Sequence, residues 1–354
     1  MANADAIRTA RPTIGIGGQD NASLADGLLS LQIVETVSGV YRCEAVFGNW
    51  GTKDGGLGFL YFDRQLLDFG KAFTVKIGSD VVFDGRITGL EADFPDGRAP
   101  DLNVLAEDRF QDLRMTRRTR TFTSVDDSSV ISQIAQDHGL TPSVDVTGPT
   151  HKVLAQVNQS DLAFLRERAR AIDAELWMEG STLKAMPHAR RNGGTVQLRY
   201  GSDLREFAVL ADLSGQRTSV TVNGWDVKGK QAIQYEAGES AINGELNGDT
   251  SGPSILSEKF STRKEALAHT VPLASDEAQA EAEAFFRMSA RQFVSGRGIA
   301  EGDGRLRVGA YVDLQAVGPL FSGKYYLSEV RHLFDGARGI RTEFKAERPG
   351  LGRP

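Results

Sequence analysis

Residues 309–348 read GAYVDLQAVGPLFSGKYYLSEVRHLFDGARGIRTEFKAER, and residues 70–109 read GKAFTVKIGSDVVFDGRITGLEADFPDGRAPDLNVLAEDR. Each stretch opens on a glycine and enters a run of alternating apolar and polar residues, Phe73, Val75 and Ile77 in one, Tyr311, Val312 and Leu314 in the other. Each reaches an aromatic followed two positions on by glycine, Phe83-Asp84-Gly85 and Phe321-Ser322-Gly323. A second strand then ends at Asp96-Gly97-Arg98 or Asp335-Gly336-Ala337-Arg338, and a third closes at Ala106-Glu107-Asp108-Arg109 or Ala346-Glu347-Arg348. Period-two alternation marks half-buried strands, and Asp-Gly supplies the positive φ of tight turns. The chain therefore carries one three-stranded meander twice, with the few identities at turns and strand ends, which is a repeat of folding plan.

Working outward, Leu28 to Thr36 and Val40 to Phe47 read as a hairpin turning at Ser38-Gly39. Gly15-Ile16-Gly17-Gly18 lacks the spacing of a dinucleotide or phosphate loop and reads as a turn. Asn49 to Gly58 reads as a glycine-rich loop presenting Trp50 as a contact residue. Between the meanders, helical spacing predicts an amphipathic helix over 127–138, with Val130, Ile131 and Ile134 on one face. A second helix is capped by Ser160-Asp161 and striped with Leu162, Leu165, Ala169 and Ile172. A hairpin from Ala174 to Met186 follows, turning at Glu179-Gly180-Ser181.

The expected fold is thus mainly β with an α+β insertion: two related β-barrel domains and one small α+β domain. The boundaries are a flexible tail at 1–12, a first barrel at 13–122, an inserted α+β domain at 123–190 and a second barrel at 191–354. The second barrel carries a long loop at 236–252 and a helix at 275–293, whose first turn holds Asp276 and Glu277.

Composition narrows the function. The chain has 354 residues, 39 glycines and a net charge of -6, so no phosphate-neutralising surface dominates and nucleic acid is not the leading partner. The basic run Arg114, Arg117, Arg118 and Arg120 is expected to meet acidic neighbours such as Asp108, Asp112, Asp126 and Asp127. Cys43 is the single cysteine, which excludes an internal disulfide and CxxC sites. No apolar run is long enough to span a bilayer, and the first residues lack the apolar core of a signal peptide, so synthesis in the cytoplasm is expected.

His138, His151, His188, His269 and His332 show no zinc-helix spacing, and no nucleophile elbow is present. The carboxylate pairs Glu167 with Asp173 and Glu175 with Glu179 are of a kind that 47 acidic residues produce by chance. No catalytic, cofactor-binding or metal residue is assigned, and an enzyme is not expected.

The run Gln156-Val157-Asn158-Gln159-Ser160-Asp161-Leu162-Ala163-Phe164-Leu165, with Ala174-Glu175-Leu176-Trp177 after it, resembles the Q-x-N-x-S-D-x-x-F-L element of phage late control gene D proteins. Phe321 to Phe334 resembles the end of their second barrel. These are baseplate hubs of contractile phage tails and injection particles, similar to the amino-terminal hub region of VgrG. The resemblance implies a homotrimer whose six similar barrels match a hexameric tail tube on one side and a threefold spike on the other. The implied partners are tube, spike, other baseplate proteins and a tape-measure or cargo protein, and the implied location is the particle's baseplate. VgrG continues into a spike after the segment matching Arg348, whereas this chain reads to Pro354, which leaves the spike as a separate protein or a continuation. Two other readings compete: a peptidoglycan-degrading tail component, and a carbohydrate- or receptor-binding module using aromatics such as Trp50.

Overall fold

The structure, a computed structural model, describes residues 11–53, 55–268 and 271–353. Apart from Arg11 and Pro12, the tail expected at 1–12 lies outside the described residues, as does His269.

The two meanders form, and each grows into a six-stranded unit by the same additions. In the first, the order is Thr13–Ile16, Ala72–Ile77, Asp80–Asp93, Asp101–Glu107, Arg42–Gly48 and Leu28–Thr36. In the second it is Thr195–Arg199, Tyr311–Gln315, Gly323–Asp335, Gly339–Arg348, Val294–Glu301 and Leu204–Ala211. The first strand of the set is antiparallel to its neighbour in one copy and parallel in the other. Both copies belong to one 13-stranded sheet, because Leu28–Thr36 also pairs with the far half of Gly323–Asp335.

Irregularities in the ladders show that these are the same unit. The long second strand bulges between Ile87 and Gly89 in one copy and between Leu327 and Glu329 in the other. The outer strand bulges between Leu28 and Ser30, and between Leu204 and Glu206. Bulges are specific insertions in a ladder, so their coincidence fixes the alignment of the copies. The opening glycines correspond as well. Gly70 has φ 76° and donates to the Ile87 carbonyl at 2.8 Å, while Gly309 has φ 91° and donates to Leu327 at 3.2 Å. This register corrects the sequence alignment in one place: Phe83-Asp84-Gly85 falls opposite Gly323-Lys324-Tyr325 and not opposite Phe321-Ser322-Gly323. Turn composition alone could not distinguish a slip of two, which preserves the facing of every side chain.

Each copy has its own core, with Ile33, Phe47, Phe73, Phe83 and Val104 in the first and Val312, Leu314, Tyr325, Val330 and Phe344 in the second. Gly85 shows how closely the first is packed, since a Cβ there would lie 2.3 Å from the Glu107 carbonyl oxygen. Neither backbone can yield without breaking the ladder, so Gly85→Ala is expected to cost about 3 kcal/mol, at the upper end for overpacking. A urea midpoint equal to wild type would show that the strands can separate freely.

The middle unit has a third core, formed where helices Asp127–Asp137 and Asp161–Ala171 bring Val130, Ile131, Ile134, Leu162 and Leu165 onto a small sheet. Strand Arg117–Asp126 pairs with Thr150–Ser160 and lends Phe122 to this core. A fourth core was not expected. It lies inside the second copy, between Leu204–Ala211 and Val294–Glu301, where Ser219–Asp226, Gln231–Gly238 and Lys264–Leu267 form a sheet under helix Ser275–Arg291.

Two expected loops are also structured. Residues 236–252 hold the end of a strand, a 3-10 helix Glu239–Glu245 and strand Thr250–Ser251. Within 49–58, Trp50–Lys53 and Gly56–Phe59 form a hairpin. Gly17 and Gly18, at φ 61° and 87°, make the expected turn.

Candidate functional site

The charged residues that sequence reading left without a role gather where the units meet. Glu175, on a strand of the middle unit, is buried at the centre. It accepts from Arg191 at 2.7 Å and from the Tyr326 hydroxyl at 2.5 Å, and it meets His188 Nδ1 at 2.7 Å. Arg191 reaches on to the Tyr41 hydroxyl at 3.1 Å and the Val308 carbonyl at 2.9 Å, and lies 4.2 Å over the Trp177 ring. One arginine thus ties the first barrel, the middle unit and the second barrel together. Burial pushes the Glu175 carboxyl up, but His188, Arg191 and Tyr326 outweigh it and hold it at about 2. The local fold enforces this convergence: a Cβ on Gly309 would lie 2.2 Å from Arg191 Nε, so the second meander opens on glycine to admit the guanidinium.

Two further clamps flank this centre. Arg291, at the end of helix Ser275–Arg291, grips Asp173 at 2.5 and 2.7 Å and Glu245 at 2.6 and 2.7 Å. Arg307 pairs with the fully buried Glu35, whose other oxygen accepts from Val308 N–H at 3.1 Å, joining the two barrels directly. His151 bridges Glu277 at 2.8 Å and Asp127 at 3.1 Å, linking helix Ser275–Arg291 to the middle unit. Burial pulls the imidazole down, but hydrogen bonding to Asp127 and Glu277 prevails and holds it at about 9.

This last link has a pH signature. Its folded pKa of about 9 lies above the ordinary 6.5, so the stabilisation is complete below pH 6.5 and is lost as pH rises through 9. Wild type is expected to lose roughly 2–3 kcal/mol of stability between pH 6.5 and 9.5 from this group. His151→Gln removes that slope; equal slopes in denaturant titrations of the two proteins would refute the assignment.

The motif around Asp161 is structural. Asp161 accepts from Gln156 Nε2 at 2.8 Å and Arg120 at 2.7 Å, meets His138 Nε2 at 2.8 Å and pairs with Arg118 at 3.1 Å. Ser160 caps the helix by accepting from Ala163 N–H, and Asn158 takes the left-handed turn at φ 48°. Three of the four arginines of the basic run meet acids, though not the expected ones, while Arg117 donates to the Asn158 carbonyl at 3.1 Å. Arg118 and Arg120 meet Asp161, Arg120 also meets Asp137, and Arg114 meets Glu107, since strand pairing with Thr150–Ser160 carries them away from their sequence neighbours.

The other candidates stay apart. Glu167 binds Gln159, Asp173 binds Arg291, and Glu179 binds Trp177 and Lys184, so neither carboxylate pair is brought together around a shared site. His332 is buried beside Thr342 and is held down at about 3 by burial, hence neutral. Cys43 is buried and its thiol pushed up. Among the described residues no cluster of three His, Cys, Asp or Glu could hold a metal, and no helix is long and apolar enough to cross a membrane. Trp50 is exposed and sits edge-on to Phe59 at 5.1 Å, beside Phe62 and Phe94.

Two repeated β units joined by buried ion pairs form a fold shared with phage tail proteins. The chain is similar to the 43 kDa tail protein of prophage MuSo2 from Shewanella oneidensis, at 12% identity and a TM-score of 0.70, over 96% of this chain and 98% of that one. It is similar to a tail protein from Neisseria meningitidis MC58, at 12% identity and TM-score 0.68, over 97% of both chains. It also resembles the Escherichia coli protein c3393, described as a type VI secretion component with structural similarity to T4 tail proteins gp27 and gp5. That likeness has 11% identity and TM-score 0.57, over 92% of this chain and 76% of that one. A family model described as Alg8 N-terminal domain matches residues 58–335, and the chain belongs to that family. The family's name assigns no activity here. None of the curated proteins compared with the chain matches it.

Proposed function

We propose that this protein is a structural component of a phage tail or related injection particle. Its specific role is that of a homotrimeric baseplate hub, the counterpart of the late control gene D proteins, joining a hexameric tube to a threefold spike. The observation that carries this is the duplicated six-stranded unit, aligned by two shared bulges. Three chains then offer six similar units, which a sixfold tube can contact on one side while threefold symmetry survives on the other. The buried clamps suit a part that transmits load, because they tie three cores into one body. The folds shared with tail proteins and with a type VI component support the same reading.

Native mass measurement tests it, with an expected mass three times the 38.4 kDa of the chain. A single-chain species at every concentration, alone and with the cognate spike, would overturn the trimeric hub. Purified protein is expected to leave peptidoglycan intact, and turbidity loss in a cell-wall suspension would favour the hydrolase reading.

A further inference from the structure

The junction between the two copies inside one chain uses an edge that each copy should offer. Strand Gly323–Asp335 has two halves: the first pairs with Tyr311–Gln315 and the second, from Glu329, pairs with Leu28–Thr36 of the first copy. Its counterpart Asp80–Asp93 pairs through Arg86 with Ala72–Ile77, but from Gly89 onward it has Asp101–Glu107 on one side and no described strand on the other. The counterpart of Leu28–Thr36 is Leu204–Ala211, which among the described strands pairs with Val294–Glu301 and ends the sheet, its far side carrying no more than a single bridge from Leu204 to Tyr200. One chain therefore presents both halves of a second junction on edges separated by the rest of the sheet.

We infer that these edges pair between two copies of this chain, Leu204–Ala211 of one lying antiparallel to residues 89–95 of the next. This rests on the trimeric reading above and specifies its contact. The shared bulges make Leu90, Ala92 and Phe94 the counterparts of Val330, His332 and Phe334, and Phe207, Val209 and Ala211 those of Leu31, Ile33 and Glu35. Inside the chain Val330 faces Glu35, His332 faces Ile33 and Phe334 faces Leu31. Transferred between chains, the register sets Leu90 opposite Ala211, Ala92 opposite Val209 and Phe94 opposite Phe207, with Glu91 opposite Leu210.

Burial agrees with this register. Phe334 is 3% exposed beneath its covering strand, whereas Phe94, which touches the rings of Phe59 and Phe62, has no strand beside it and stays 62% exposed. Leu90 already packs against the first core, and Phe207, Val209 and Ala211 against the second, so all the paired inward positions are apolar. A slip of one residue would turn Glu91 and Asp93 toward that interior, so facing excludes odd slips, and the choice among even ones follows the register of the junction inside the chain. An open edge with apolar inward residues is a template for pairing. Because the two edges differ, the contact is head-to-tail and extends until the ring closes.

Paired cysteines test the register. Cys43 is buried and stays in place. The double variant Glu91→Cys with Leu210→Cys is expected to give disulfide-linked dimers and closed trimers on mild oxidation. Glu91→Cys with Ala208→Cys, two positions out of register, is expected to give at least tenfold less. A trimer by native mass that fails to link at 91 and 210, or links as well through 208, overturns the register and leaves the trimeric hub standing. A single-chain species with no link overturns both. Leu210 is 58% exposed, so Leu210→Lys should keep the circular dichroism and melting of the monomer while weakening association at least tenfold. Unchanged association would overturn the edge contact.

Discussion

Arg191→Met is expected to lower the unfolding free energy by about 3–5 kcal/mol, because it leaves a buried carboxylate without its cation. Methionine keeps much of the volume over Trp177, so the loss reports charge and hydrogen bonds more than a cavity. Three donations disappear together, to Glu175, to Tyr41 and to the Val308 carbonyl, and they join three separate cores. The acid limb gives a second readout. Glu175 has a folded pKa near 2, below its ordinary 4.5, so its stabilisation is present above pH 4.5 and is lost as pH falls through 2. Without Arg191 the folded value rises and acid-induced loss begins at higher pH. A urea midpoint within about 1 kcal/mol of wild type at pH 7, with an unchanged acid limb, would remove this junction from the account.

Asp161→Ala is expected to have the next largest effect, about 3–4 kcal/mol, confined to the middle unit. Asp161 is 1% exposed, and its carboxyl is held below the usual range because His138, Gln156, Arg120 and Arg118 outweigh its burial. Its loss strands donors on the strand Arg117–Asp126 and at the end of helix Asp127–Asp137, which the carboxylate holds together. Hydrogen exchange should accelerate over 117–171 while the two barrels keep their protection. Uniform acceleration across the chain would show that the middle unit does not open independently.

The motif was visible before its purpose was. Gln156, Asn158, Ser160 and Asp161 could be picked out as a pattern, yet only the fold shows why each is needed: a side-chain donor, a left-handed turn, a cap and a buried acceptor. Regular strands such as Leu28–Thr36, and helices such as Asp161–Ala171, were readable because alternation and helical spacing act over a few residues. The fourth core escaped because Ser219–Asp226 takes Lys264–Leu267 as its parallel partner, more than thirty residues away, across a segment rich in turn residues. The hairpin Trp50–Lys53 and Gly56–Phe59 escaped because glycine at alternate positions erases the apolar pattern. In the sequence Glu175 and Glu179 form a candidate acid pair, but neighbouring places on one strand say nothing of the arginine that arrives from outside it.

By itself the sequence determined that a meander occurs twice, because alternation and Asp-Gly turns are local physics that any tertiary setting must respect. Register, junctions and free edges belonged to the tertiary structure alone. A strand's partner depends on which apolar faces can be buried together across the whole chain, and the bulges that align the copies exist only once strands are paired. Glu35, Glu175 and Asp161 read as ordinary charges in the chain; they became fixed structural groups when folding removed water from around them and left cations as their partners.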